Sequence, residues 1–328
     1  MNQKKLEFYY KFLENYQKKF LPIGLKPEVD SHIHTTFSDG MFDMLDLIFL
    51  GKMIGLKGMV FTDHNTILPG YKYLNTIKQF IPEGMMIDIG VEIACKIIDD
   101  KTGKYIPIEM LAYHSDPYKL QEFLDKYSFS KDISQEKQLE ELMYMCEKCG
   151  LVFSRDIIIP KGKFATEMLC LELIKHEENK DFFMNTHPIV WTTPKLFFKK
   201  FCANPSSEFY LDTTAGLPTY TDTIDAITDS NGISILPHPY LYIYETQKEV
   251  KMLLDKLVNT SKIGGFEAFH SSQNSEQREF IFSYAKKTNK LISGGTDFHS
   301  GPETLLGVGK EKLPLELSLD MFSWLYNN

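Results

Sequence analysis

The chain has 328 residues, 43% of them hydrophobic and 24% charged, a mix that supports one substantial core plus an insertion and excludes disorder as the main state. Its formal charge of -8, from 36 basic and 44 acidic side chains, disfavours a protein that works by coating long nucleic acid and leaves room for a local basic pocket. Five cysteines at irregular spacing argue for reduced thiols over a disulfide framework. No run reaches the ~20 apolar residues of a membrane span, and the start Met1-Asn2-Gln3-Lys4-Lys5 has no signal-peptide core, so a cytoplasmic protein without membrane contact is expected.

In chain order, residues 4–20 put Leu6, Tyr9, Tyr10, Leu13 and Phe20 on one side, the pattern of an amphipathic helix that Pro22, Gly24 and Pro27 end. Helical periodicity follows at 41–55 and 71–80, interleaved with strand-like runs at 58–62 (GMVFT), 85–93 (MMIDIGVEI) and 108–113 (IEMLAY). Between 117 and 206 the pattern is Lys-, Glu- and Met-rich with helical period only, which predicts a helical insertion. There Cys146-Glu147-Lys148-Cys149 has metal-site spacing, yet it reads as a helix end running into Gly150. The alternation then resumes, with helices at 222–231, 246–260 and 275–289 and strands at 233–236, 264–269 and 291–294. Such alternation predicts an α/β fold of mainly parallel strands with helices outside. The expected division is an N-terminal helical extension over 1–24, a β/α domain over 25–116 and 207–328, and the insertion over 117–206.

The residues that carry chemistry fall at the carboxyl ends of the expected strands, where β/α folds place reactive groups. In Asp30-Ser31-His32-Ile33-His34, residues two apart on a strand share a face, so His32 and His34 can aim two imidazoles at one ion. Thr62-Asp63-His64-Asn65 ends the next strand, Glu92 ends another, His238 stands between Pro237 and Pro239, and Asp297-Phe298-His299 follows Ser293-Gly294-Gly295-Thr296. A lone histidine is usually a satisfied polar group, but five of the nine histidines here sit at strand ends with an acidic neighbour. His176 and His187 lack that company and read as solvated or structural.

The strings DSHIHTTFSDG, FTDHN, GVEI, LPHPYLY, GGFEAFHSSQNSEQ and SGGTDFHSG, in that order, resemble the PHP (polymerase and histidinol phosphatase) superfamily, and its stand-alone phosphoesterase branch in particular. The likeness spans roughly 29–115 and 205–305. It implies a distorted (β/α)7 barrel carrying a helical insertion, with three divalent ions of manganese, iron or zinc. His32, His34, Glu92 and Asp297 would hold one ion, and Glu92 would bridge to a second that His238 also binds. Asp39, His64 and His299 would hold the third. In similar proteins a histidine opens the strand after GVE, where this chain has Glu109, so either Glu109 or His114 at the end of that strand completes the set. A carboxylate there would tilt the centre toward manganese or iron over zinc. Glu92, His270 and Asp63 are the candidate catalytic groups, and Glu267 is a candidate for orienting a ligand imidazole.

The function this implies is a phosphoesterase acting on nucleotides or short oligonucleotides, as a phosphatase or 5′-exonuclease, through a metal-bridging hydroxide. Ser38, Thr62 and Ser293 lack the Gly-x-Ser-x-Gly setting of an activated serine, and no P-loop or dinucleotide fingerprint is present. Competing readings are a histidinol-phosphate-type phosphatase, an amidohydrolase-type metal hydrolase, and an inactive metal-binding protein. Lys161, Lys163, Lys199 and Lys200 of the insertion read either as phosphate-attracting or as solvated surface, while Trp191 and Phe197 read as core aromatics before base-stacking ones.

Overall fold

The computed structural model describes residues 3–19, 24, 26–127, 135–160, 163–186, 193–244, 246–301, 303–310, 313–315 and 317–326. His187, Trp191 and Lys161, singled out above, lie outside the described residues. The chain divides into two compact units. One comprises Met1–Cys95, Glu109–Tyr127 and Pro218–Asn328; the other comprises Lys96–Ile108 and Ser128–Leu217. The second unit therefore takes in the segment 96–108 and begins beyond residues 117–127, which pack with the first unit. No described helix is long and apolar enough to cross a membrane.

In the first unit, helix α1 (Gln3–Lys19) precedes strand β1 (Val29–Ile33), helix α2 (Met44–Ile54), strand β2 (Gly58–Phe61), helix α3 (Leu68–Ile77) and strand β3 (Met86–Ile89). These three strands form one parallel sheet in the order β1-β2-β3. The apolar run at 85–93 is two strands, because the chain leaves the first sheet after Ile89 and opens β4 (Val91–Ile98) in a second. That second sheet has the order β4-β5-β6-β7-β8, with β5 at Tyr105–Tyr113, β6 at Ile233–Leu236, β7 at Gly265–His270 and β8 at Leu291–Gly295. Pairs β6/β7 and β7/β8 are parallel, whereas β5 runs antiparallel to β6.

A fully parallel seven-unit barrel is therefore not what the described residues form. The fold is mixed α/β: these two sheets are linked where Ile33 bridges Phe298 and His64 bridges Glu92, and β9 (Thr304–Leu305), β10 (Gly309–Lys310) and β11 (Leu313–Pro314) form a third, small antiparallel sheet. The physical reason is the connection from β4 to β5, a short turn in which the Asp99 and Gly103 amides are bonded locally, with no crossover helix to return the chain in parallel. Crossover helices α9 (Tyr220–Asp229), α10 (Gln247–Thr260) and α11 (Ser275–Lys287) do serve β6, β7 and β8. Helices α10 and α11 each begin with a capping box, Thr246 with Glu249 and Asn274 with Gln277, which satisfies their first amides. Behind the sheets Val29, Val60, Leu111, Tyr113, Ile235 and Phe322 share one buried core.

Outside its 96–108 segment the described residues of the second unit include helices α5 (Gln135–Lys148), α6 (Ala165–Leu173), α7 (Lys180–Thr186) and α8 (Pro194–Phe197), together with non-helical stretches. Its core holds Phe183, Phe197, Phe201 and Phe209 together with Cys146, Cys170 and Cys202. Phe197 is thus a core residue, 1% exposed. Cys149 is bonded to the Glu208 carboxylate at 3.1 Å, and Lys163 pairs with Glu167 at 2.7 Å.

Candidate metal centre

Strand β1 brings His32 and His34 to the site together, both fully buried. A bulge lies between Asp30 and Ile33, where three steps on β1 face two on β2. Asp30 anchors this stretch. Its carboxylate accepts from the amides of Thr296 at 3.0 Å and Gly307 at 2.8 Å and from the Thr296 hydroxyl at 2.6 Å. Burial pushes its pKa up to about 6 against those hydrogen bonds. Strand β8 passes so close that a Cβ on Gly295 would lie 2.4 Å from the His32 Cβ, so only glycine lets Asp297 reach the imidazoles.

Glu92 is the centre of the arrangement. Its Oε2 lies 3.1 Å from Nε2 of both His32 and His34 and 3.4 Å from His64 Nδ1, while Oε1 lies 2.9 Å from His238 Nε2. Burial alone would raise this carboxyl, but the surrounding imidazoles, His32 foremost, hold it well below its ordinary value. Glu92 opens β4, instead of closing a strand as the sequence suggests, and it sits beside His64 through the bridge between the sheets.

Asp297 faces the same imidazoles from the end of β8. Its Oδ1 is 3.1 Å from His34 Nε2, 3.5 Å from His32 Nε2 and 3.4 Å from His299 Nδ1, and its backbone adopts φ 56. Burial lowers the His34 imidazole, but the Asp297 and Glu92 carboxylates outweigh it and lift the pKa to about 9. His238 reaches about 9 in the same way, with burial opposed mainly by Glu92.

Glu267, fully buried on β7, organises the inner side. Its Oε1 is 3.0 Å from His32 Nδ1 and its Oε2 accepts the His238 amide at 2.8 Å. With Nδ1–H directed at Glu267, His32 offers the lone pair of Nε2 to the site. On the outer side, Asp39 Oδ1 is 3.3 Å from His299 Nε2 and 3.8 Å from His64 Nε2. Glu109 lies between the two sides, with Oε2 3.5 Å from His238 Nε2 and Oε1 4.0 Å from His64 Nδ1. Removal from water and the Glu92 charge push it up to about 7.

These side chains supply ligand atoms close enough to share ions in four groups: His34, Asp39, His64 and His299; His32, His34, Glu92 and Asp297; His32, Glu267 and His270; and His64, Glu92 and Glu109. Several of the buried atoms have no hydrogen-bond partner, namely both ring nitrogens of His34, His238 Nδ1, His270 Nε2 and Asp297 Oδ1. Orphaned buried polar atoms are costly, and a cation among them would satisfy them. The donor set of imidazoles and carboxylates therefore fits divalent metal.

His114 and Asp63 lie differently from their expected places. His114 follows β5 in a left-handed conformation at φ 56 and pairs with Asp88 at 3.2 Å; it joins none of the four groups. The strand ends at Tyr113, and the left-handed backbone at His114 leaves its ring beside Asp88. Asp63 is occupied by the turn after β1. Its Oδ1 accepts from the Thr35 amide at 2.8 Å and the Ser38 hydroxyl at 2.6 Å, and its Oδ2 accepts from the Thr35 hydroxyl at 2.7 Å. His270 does face the cluster, with Nε2 3.6 Å from Asp297 Oδ2. Its Nδ1 accepts the Ser272 amide at 3.1 Å, which leaves the ring proton on Nε2.

Sequence reasoning did not find Tyr242. Its buried hydroxyl accepts the Glu109 amide at 3.1 Å and lies 3.2 Å from the Pro237 carbonyl, tying β5 to the turn that carries His238. The LPHPYLY string contains it, but nothing in spacing marks a tyrosine that works through backbone atoms of a distant strand.

A family model for the PHP domain matches residues 30–178. His32 to Glu109 fall inside that stretch, and His238, Asp297 and His299 lie beyond it. A 5′-3′ exoribonuclease of Haemophilus influenzae is 25% identical over 272 residues, covering 82% of this chain and 89% of that protein. Two solved structures share the fold. One, from Bifidobacterium adolescentis and named for a metal-dependent phosphoesterase, has a TM-score of 0.55 at 19% identity and covers 91% of this chain and 95% of its own. The other, an amidohydrolase from Chromobacterium violaceum with bound sulfate and no metal, has a TM-score of 0.56 at 18% identity and covers 90% and 96%.

Proposed function

The chain belongs to the PHP superfamily, and from that premise we propose that it is a metal-dependent phosphoesterase that hydrolyses nucleotides or the 5′ ends of short oligonucleotides. The observation that carries the reading is the Glu92 carboxylate, with three imidazoles against one oxygen and a fourth against the other. That arrangement suits a bridge between two ions. His32, His34, Glu92 and Asp297 would hold one ion, Glu92, Glu109 and His238 a second, and Asp39, His64 and His299 a third. Divalent ions in such a cluster supply positive charge to phosphoryl oxygens and lower the pKa of water toward ~7.

The protein's own part is orientation and proton placement. Glu267 fixes the His32 tautomer, Asp30 locks the end of β8 against β1, and Tyr242 sets Glu109 against His238. His270, with its proton on Nε2 and the Asp297 carboxylate no nearer than 3.6 Å, is the group placed to donate a hydrogen bond to a substrate oxygen. The exoribonuclease relative supports a nucleic-acid substrate over a histidinol phosphate. The test is elemental analysis of the purified protein, followed by hydrolysis of an aryl phosphate, a nucleoside 3′,5′-bisphosphate and a 5′-phosphorylated oligonucleotide with Mn²⁺. Turnover of the oligonucleotide or the bisphosphate is expected; no release from any of the three sinks the reading.

A further inference from the structure

The turn after β1 does more than deliver Asp39. Residues 35–41 form a closed loop in which the Ser38 and Gly40 amides donate to the Thr35 carbonyl at 3.1 and 2.9 Å, and the Phe37 amide donates to the Thr35 hydroxyl at 3.1 Å. The Asp63 carboxylate pins the same loop through Thr35 and Ser38. At its far end the Met41 amide donates to the His299 carbonyl at 2.8 Å, and a Cβ on Gly40 would lie 2.4 Å from the His34 carbonyl oxygen. The loop is therefore fixed against two of the imidazole-bearing segments.

Phe37 stands in the middle of this polar loop, two residues before Asp39. Its ring is only half-buried, and it meets the ring of Tyr73 on α3 edge to face, with centroids 5.6 Å apart and planes at 66°. Tyr73 is half-buried as well. Helix α3 begins four residues after His64, so both rings are carried by segments that also carry outer ligands of the cluster. A phenyl ring on a loop of Thr, Ser and Asp that is held still but not taken into the core has part of its surface open to water. A rigid aromatic surface stacks a nucleobase at low entropic cost, because the ring is already ordered before the base arrives.

We propose that Phe37, backed by Tyr73, is the stacking platform for a nucleobase one ribose away from a phosphate seated at the histidine–carboxylate cluster. This rests on the phosphoesterase reading and sharpens it, since it makes the enzyme read the presence of a base without reading its identity. Stacking tolerates any base, so the platform predicts activity across sequences and poor activity on a strand whose first sugar carries no base.

The experiment compares two 5′-phosphorylated oligonucleotides with Mn²⁺ supplied, one with 2-aminopurine as its first base and one abasic at that position. Wild-type protein is expected to favour the base-bearing strand by about tenfold or more in kcat/KM, carried by KM, and to quench the 2-aminopurine fluorescence on mixing. Phe37→Leu, which keeps apolar volume without the aromatic face, should abolish both the preference and the quenching; Phe37→Trp should restore both. Equal turnover of the two strands by wild type, or a preference that survives in Phe37→Leu, overturns the platform and leaves the phosphoesterase reading standing. Absence of release from either strand overturns the phosphoesterase reading instead, and quenching that Phe37→Leu loses would still support stacking. With neither release nor quenching, both fall.

Discussion

The two sides of the cluster are built differently. On the inner side His32, Glu267 and His238 have side chains 0%, 0% and 3% exposed, and each is held by a directed hydrogen bond to another member or to backbone. On the outer side Asp39, His299 and His64 are 54%, 32% and 26% exposed, with separations of 3.3 to 3.8 Å among them. The inner side chains are oriented by the protein itself, whereas the outer ones would have to be drawn together by an ion. Pre-organisation of this kind sets affinity more than ligand count does, so the inner ions should be the tighter.

The harshest way to break that contrast is to remove a carboxylate that reaches imidazoles on both sides. Asp297→Ala is expected to strip metal from the whole cluster and to reduce hydrolysis by more than ~100-fold, beyond the ~10- to 100-fold typical of a residue that only orients a ligand. Metal content and kcat/KM on the same preparation check it; an active, fully loaded Asp297→Ala protein would end the assignment.

Glu267→Gln tests the inner side alone. An amide has one acceptor oxygen where the carboxylate serves both the His32 ring and the His238 amide, so one of the two bonds is lost. Metal affinity, measured by competition with a chelator, should fall ~10- to 100-fold. Asp39→Asn should have a smaller and more local effect. A chelator titration of the wild type is expected to release the outer ion first, and the variant should lack that first step while keeping the inner ions. Release of every ion in a single step from both proteins would contradict the division into two sides.

Proton release sharpens the picture further. His34 and His238, lifted to about 9 in the metal-free protein by the carboxylates around them, carry protons near neutral pH. A metal must displace those protons, so loading should release them near pH 7. Metal affinity should rise with pH, and the release should vanish as the pH passes about 9. Titration calorimetry in buffers of different ionisation enthalpy measures the count; a value independent of pH would show that these rings are not ligands.

Much of this was legible from one dimension. The β/α alternation located α2, α3, α9, α10 and α11 and strands β2, β5, β6, β7 and β8 to within a few residues, because hydrophobic periodicity is a local property. His32, His34, His64, His238, Asp297 and His299, which the fold brings together, were visible because each leaves a polar residue at a strand end where an apolar run should continue. Asp63 misled for the same reason. It has the company of His64, but its oxygens are spent on Thr35 and Ser38. Asp30 drew no role of its own from the string that contains it, since its partners Thr296 and Gly307 are more than 260 residues away.

By itself, the order of residues determined which side chains are chemically able to bind metal and roughly where each strand and helix runs, since propensity, spacing and side-chain chemistry need no partner. Only the tertiary structure separated Glu109, which lies beside His238, from His114, which pairs with Asp88, and split the run at 85–93 between two sheets. It also placed one carboxylate, Glu92, against four imidazoles from three separate segments. Convergence of that kind depends on long-range packing, and no local pattern encodes a distance between residues as far as 146 positions apart.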